Sequence, residues 1–307
     1  MRIISLLPSA TEIICQLGLE SSLVGVSHEC DYPDGVKQLP RLTSSNIHVQ
    51  ADTKTIHDSV ESLLQTALTV YDLDMDLFDK LKPDWVVTQD LCDVCAVSLP
   101  QVEEACKKFS GANTKIISLH PGNLNDIWAD IKRVAETLGV EEAYSTFKQD
   151  VDLRIKTIRD RIASASVQKQ NVLTIEWLAP VMIGGLWVPE MIEIAGGNYL
   201  LASPGIRAQT VNFEQLQEIN PNVVLIKPCG FDLQKTVQEF DSLKTSFLSE
   251  KWNATKTKSI YCVDGNTYFN RPGPRIIDSL EILAACAHPD LFPEFIEKYS
   301  PSIQRIN

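Results

Sequence analysis

No stretch of the 307-residue chain stays apolar long enough to span a bilayer, so direct membrane insertion is not expected. No low-complexity tract or Gly/Ser-rich linker interrupts it, so any domain boundary runs through structured chain. Basic residues are the scarcer sign: 28 Lys and Arg stand against 40 Asp and Glu, a net charge of −12. That balance argues against nucleic acid, whose binding needs cations to neutralise phosphates, and against adsorption to anionic lipid. Common catalytic signatures are missing too: there is no Gly-x-Ser-x-Gly elbow, P-loop, His-Glu-x-x-His or Gly-x-Gly-x-x-Gly. Cys92 with His120, or Glu29 with Glu176, would supply groups for nucleophilic or acid–base work, but no motif frames them. A non-enzymatic protein is expected.

The chain opens Met1-Arg2-Ile3-Ile4-Ser5-Leu6-Leu7-Pro8. This apolar run is too short for the core of a secretory signal, and no small-residue cleavage site follows it. A cytoplasmic location is expected, or a periplasmic or extracellular one if a signal has been removed. Eight cysteines in such a chain are expected to be reduced thiols rather than a disulfide framework.

Short β-rich apolar runs alternate with segments of helical period. Strands are expected at Arg2–Leu6, Leu23–Val26, Trp85–Thr88, Lys115–Ser118, Val172–Ile175, Val223–Ile226 and Ser259–Val263. Helices are expected between them, as at Ala10–Leu17, Asn125–Leu138 and Pro189–Ala195. The alternation points to parallel sheets covered on both faces. Between the two strand groups, Glu141 to Ser166 contains no Gly or Pro. Its apolar residues Ala143, Phe147, Val151, Ile155, Ile158 and Ile162 form one stripe, as on a single long helix or on two shorter ones. The halves also repeat each other. Glu12–Gly18 matches Glu190–Gly196 in pattern, and Lys82-Pro83-Asp84-Trp85-Val86-Val87 matches Asn220-Pro221-Asn222-Val223-Val224-Leu225. The expected architecture is therefore α/β: two Rossmann-like lobes, 1–138 and 169–307, joined by a long backbone helix within 139–168. The ligand is expected in a cleft between the lobes, at the carboxyl ends of the strands.

The opening Arg2–Glu12, with Val24-Gly25-Val26-Ser27, Asp31-Tyr32-Pro33 and Leu81-Lys82-Pro83-Asp84, resembles the helical-backbone (class III) substrate-binding proteins of ABC importers for vitamin B12, haem and ferric siderophores. The likeness is to the cobalamin-binding branch and covers nearly the whole chain, which would then be a signal-less cytoplasmic relative. It implies two lobes on a long helix, a cobalamin or other corrinoid ligand, and an ABC permease partner. It also implies a docking carboxylate on each lobe, seven residues before the Pro that precedes a strand. Asp76 and Glu214 hold those places here, and each is equally readable as a solvated helix acid.

Candidate ligand contacts follow the predicted strands. They are His28, Glu29, Asp31 and Tyr32 after the second strand, Gln89 and Asp90 after the third, and Glu176 and Trp177 after the fifth. Asp264 follows the last. Trp177, Trp187, Tyr268 and Phe269 offer faces for a flat ring or else pack a core. Gly184 and Gly185 would let backbone approach a ligand closely. His28 or His120 would serve as an axial ligand to cobalt or as a structural histidine. Arg271 and Arg275 would meet a ligand phosphate or carboxylate, or form internal pairs. The Cys92-x-x-Cys95 spacing allows two thiolates on one soft metal ion or cluster, completed by Cys30, His28 or Cys229. A cytoplasmic protein that binds a metal or a metal chelate is the alternative this raises. Buried apolar thiols or a local redox pair are the structural counterparts.

Overall fold

The computed structural model describes residues 1–47, 50–65, 70–91, 97–109 and 114–306. The chain forms two compact units. Unit 1 comprises Met1–Ala51, Thr55–Pro121 and Asn125–Lys148; unit 2 comprises Asp52–Lys54, Gly122–Leu124 and Gln149–Asn307.

The strands of unit 1 are β1 (Ile3–Ser5), β2 (Leu23–Val26), β3 (Thr43–Ser45), β4 (Tyr71–Leu73), β5 (Trp85–Gln89) and β6 (Lys115–Leu119). Its helices are α1 (Pro8–Gln16), α2 (Thr53–Gln65), α3 (Met75–Leu81), α4 (Leu99–Phe109) and α5 (Leu124–Leu138), with the first residues of α2 and α5 belonging to unit 2. Four strands form an all-parallel sheet in the order β2-β1-β5-β6. The central strand β1 is buried at every residue, as an Ile-Ile-Ser run covered on both faces should be. Ile4, Leu6, Val86, Phe78 and Val102 form the core beside it. Burying a side chain of that size stabilises the fold by roughly 1.5–3 kcal/mol. β3 and β4 pair antiparallel as a separate ribbon, unforeseen because long chain separates two three-residue strands.

Helix α6 (Glu141–Ala165) then runs unbroken for 25 residues, about 37 Å at the usual rise, so the apolar stripe belongs to one helix rather than two. Phe147, Val151 and Ile158 of that stripe are buried. The boundary between the units falls inside it, between Lys148 and Gln149.

Unit 2 continues with β7 (Gln170–Leu178), β8 (Val181–Ile183), β9 (Gly197–Tyr199), β10 (Gln209–Thr210), β11 (Val223–Ile226), β12 (Ile260–Val263) and β13 (Ile303–Ile306). Its helices are α7 (Val188–Ile194), α8 (Phe213–Glu218), α9 (Leu233–Phe247), α10 (Asn253–Thr257), α11 (Ile276–Ala287) and α12 (Pro293–Lys298). The three strands expected here, β7, β11 and β12, pair parallel as read from the sequence, and antiparallel strands extend the sheet. β9, β7, β11 and β12 are parallel, whereas β8 folds back on β7 as a hairpin and β13 caps the far edge antiparallel. Its core gathers Leu173, Ile175, Val224, Ile226, Phe240 and Trp252.

The repeat seen in the sequence has a local cause. Helices α1 and α7 each begin with a proline in the first turn, where its missing N–H costs nothing. Each is closed by a glycine in the left-handed region, Gly18 at φ +77° and Gly196 at φ +76°.

Candidate ligand-binding site

In unit 1 the carboxyl ends of β1 and β2 carry a buried polar network. The Thr43 hydroxyl donates to Oγ of Ser27 at 3.0 Å, so its oxygen accepts from Nδ1 of His28 at 2.6 Å. The His28 backbone N–H donates to the same oxygen at 3.0 Å. Nε2 of His28 is then the ring's bare acceptor, buried, with no hydrogen-bond partner among the described residues. Burial first, and the nearby Arg41 charge second, push the imidazole below its usual titration range and keep it neutral. Arg41 donates to the backbone carbonyls of Ser27 and Cys30, tying down the loop that carries these side chains. Glu29 accepts from the Tyr71 hydroxyl at 3.1 Å, and the Tyr71 ring packs at a tilt on His28 with centroids 5.5 Å apart. Tyr32 is exposed and Asp31 half-buried.

At the neighbouring strand ends, Gln89 is buried at the end of β5 while Asp90 is exposed just beyond it. Oδ1 of Asp90 lies 2.6 Å from Nδ1 of His120, which follows β6. A carboxylate only accepts, so the ring donates from Nδ1 and presents Nε2 outward; the side chain of His120 is 63% exposed. This is how proteins orient an imidazole for a metal.

Unit 2 builds its counterpart around a residue that sequence reasoning passed over. Lys227 directly follows β11, and its side chain is 0% exposed. Its ammonium donates to Oε2 of Glu176 at 3.0 Å and to Oδ1 of Asn270 at 3.1 Å, 5.6 Å from the centre of the Phe269 ring. Asn270 in turn donates to the carbonyls of Lys227 and Gly265. Glu176 is 26% exposed, so the pair joins an interior cation to a carboxylate reaching solvent. Trp177 stands beside it, half-buried, with its indole N–H on the Thr53 carbonyl and its ring edge-on to Phe231. Thr53 is itself held by Glu239, whose Oε1 accepts from both the Thr53 N–H and its hydroxyl.

Other expected contacts take internal roles. Trp187 is 5% exposed and donates to the Phe269 carbonyl at 2.8 Å, so it braces the fold instead of offering a face; Phe269 is buried as well. Arg271, 7% exposed, donates to Asn266, which favours the internal reading. Arg275 lies over the Tyr268 ring, which packs edge-on against Tyr299. Both Asp264 oxygens accept from Thr267, closing a turn. The glycines do permit close approach, but to the protein itself. A Cβ at Gly185 would sit 2.3 Å from the Ile206 carbonyl oxygen, and one at Gly184 would sit 2.7 Å from Oγ1 of Thr174 and 3.2 Å from Cε of Lys227.

Cys92 and Cys95 lie outside the described residues. Cys30 is buried with its sulfur 3.0 Å from the Thr11 hydroxyl, and Cys229 is exposed. Among the described residues no group of three or more His, Cys, Asp or Glu side chains is arranged to hold a metal ion. None of the six described cysteines is in a disulfide. Burial pushes the Cys15 and Cys262 thiols up to about 12, which makes them inert. The acids Asp76 and Glu214 are both exposed in the first turn of a short helix, α3 and α8, where a negative charge also suits the helix dipole.

Two α/β lobes with parallel strands and one long helix define a class of non-catalytic solute-binding protein. The chain belongs to the periplasmic binding protein family, whose model matches residues 3–267. That family consists of non-enzymatic solute binders, and this chain is a substrate-binding protein of the ABC-importer type. It is 23% identical over 304 residues to the ABC transporter substrate-binding lipoprotein YvrC of Bacillus subtilis, covering 95% of this chain and 82% of that protein. It is also 23% identical over 284 residues to a vitamin B12-binding protein of Vibrio cholerae, covering 91% and 86%. Among solved structures, a periplasmic heme-binding protein from Pseudomonas aeruginosa shares the fold with a TM-score of 0.68 at 21% identity, over 94% of this chain and 92% of that one. The periplasmic vitamin B12-binding protein of Vibrio cholerae gives 0.64 at 20% identity, over 93% and 96%. No helix among the described residues is long and apolar enough to cross a membrane. The expected cytoplasmic location finds no support in these relatives, which are periplasmic or lipoproteins.

Proposed function

We propose that this protein captures a metal-centred tetrapyrrole, a corrinoid such as cobalamin, and delivers it to an ABC permease. The observation that carries the reading is the Asp90–His120 pair, an imidazole held at Nδ1 by a carboxylate with Nε2 turned to solvent. A histidine so held is suited to an axial position on cobalt. Glu29, in the same unit, adds a hydrogen-bond acceptor beyond a strand carboxyl end, suited to an amide arm of a corrin ring; unit 2 offers an acceptor of the same kind in Glu176. Relatives that carry the name vitamin B12-binding protein support the same ligand class.

Asp76 and Glu214 are the docking carboxylates in this reading, since each is exposed and sits at the same remove from a strand-preceding proline. Replacing both with lysine is expected to abolish stimulation of the permease ATPase while leaving ligand affinity unchanged.

The test is a titration of the purified protein with aquocobinamide and with hemin, followed by visible absorption. Stoichiometric binding of the corrinoid with a shift of its bands is the expected result; absence of binding to both ligands would sink the reading. A colourless protein that instead retains zinc through its thiols would favour the metal-site alternative.

A further inference from the structure

Lysine is among the residues least often fully buried, and an ammonium removed from water is costly unless its charge and protons find partners. Unit 2 meets that requirement at Lys227 in an unsymmetrical way. The cation is wholly interior, whereas its carboxylate partner keeps a quarter of its surface in solvent. Neighbouring residues accommodate that arrangement. Gly184 leaves out the Cβ that would press on the lysine tail, and Asn270 is clamped by two backbone carbonyls so that its own oxygen faces the ammonium. Gly265 permits the close passage of backbone, since a Cβ there would lie 2.1 Å from the Pro228 carbonyl oxygen. The lysine holds Oε2 of Glu176, and Oε1 is engaged by no hydrogen bond among the described residues.

We propose that Lys227 is a positioning residue that fixes Glu176 as an ionised acceptor for ligand N–H groups, so that the site takes amide-rimmed rings and rejects rings bearing carboxylate arms. This rests on the proposed tetrapyrrole reading and decides between its two chemical forms. A corrinoid such as cobinamide carries amides, whose N–H groups donate to a carboxylate. A haem carries two propionates, which meet the same carboxylate as like charges, and the buried ammonium cannot turn outward to neutralise them because three neighbours enclose it. A hydrogen bond to a charged acceptor is worth enough to change affinity by roughly ten- to a hundredfold.

The experiment measures dissociation constants for dicyanocobinamide, haem and haem dimethyl ester on the wild-type protein, Glu176→Gln and Lys227→Met. The ester has the ring and iron of haem without its charges, so the haem-to-ester ratio reads the carboxylate effect alone. The wild type is expected to bind cobinamide tightly and the ester better than haem. In Glu176→Gln, cobinamide should weaken about tenfold and the haem-to-ester gap should close. Lys227→Met should narrow the same gap with Glu176 still present, which a merely structural lysine would not do. Should that variant lose its cooperative melt, Glu176→Gln decides alone. An unchanged gap in Glu176→Gln, with cobinamide still bound by the wild type, overturns this inference and leaves the function standing. A wild type that binds none of the three ligands overturns both.

Discussion

Oδ1 of Asp90 and Nδ1 of His120, at the ends of adjacent parallel strands, lie 2.6 Å apart, and this one contact fixes which nitrogen of the ring faces outward. Aquocobinamide has an exchangeable axial position, whereas both axial positions of dicyanocobinamide are filled. His120→Ala is therefore expected to weaken binding of the aquo form and remove its spectral shift, with little effect on the dicyano form. Asp90→Asn should weaken the aquo form less, roughly tenfold, because the nitrogen remains but loses its orienting partner. Equal losses with both cobinamides would show that His120 acts on the ring's periphery and not on its metal.

Stability should fall on mild acidification for reasons that lie in two histidines. Burial lowers the titration of His28 and of His288 below the ordinary 6.5, with the Gly196 carbonyl partly opposing the shift at His288. The folded form then binds fewer protons than the unfolded one, so stability is full above 6.5 and erodes as pH drops below it. Glu281 acts in a separate window. Burial pushes its carboxyl up, but bonds from Arg154, Lys298 and Tyr299 more than offset this, so its contribution is present above 4.5 and lost only at lower pH. Thermal melts between pH 7.5 and 5 should show the first decline, and His288→Gln should flatten it. A melting temperature independent of pH across that range would contradict the assignment.

Arg154 of the long helix reaches α11 through Asp278 at 2.5 Å and Glu281 at 2.6 Å, and Glu281 is almost wholly buried. Removing the arginine leaves Glu281 to Lys298 and Tyr299, both on its other oxygen. Arg154→Met should cost about 2 kcal/mol, read as a lower urea midpoint with an unchanged slope. The double variant with Glu281→Gln should recover part of that loss.

Gly185 has no room for a methyl group, because the nearest atoms belong to the backbone at Ile206 and Ala208, which cannot swing aside as a side chain can. Gly185→Ala should destabilise by about 2 kcal/mol, whereas Gly230→Ala, where a Cβ meets nothing within 4 Å, is limited to the penalty of its positive φ. Comparing the two denaturation curves separates crowding from backbone strain.

Much of the scaffold was legible because its signals are local. Short β-rich apolar runs mark β2, β5, β6 and β11, and the absence of Gly and Pro from Glu141 to Ala165 marks the long helix. Contacts between distant residues were not legible. The partner of Lys227 is Glu176, 51 positions earlier, and no local pattern announces an ion pair made across a sheet. The repeat carried a usable signal all the same. Counting from Pro83 and Pro221, Lys227 takes the place that Gln89 holds in the first half, and both are buried. Gln89 stood among the candidates, so its mate should have done so too. Burial in loops is no more legible: Trp187 and Arg271 both lie in loop sequence, yet both are buried and donate to neighbouring chain.

An amine sealed inside a folded protein is also a chemical clock. Reagents that acetylate lysines in native protein should mark exposed side chains such as Lys37 and Lys256 at once and leave Lys227 unlabelled. Modification at that single position then counts the moments when unit 2 opens. A peptide map taken over time yields the opening rate of that unit without any ligand, probe or spectroscopic handle.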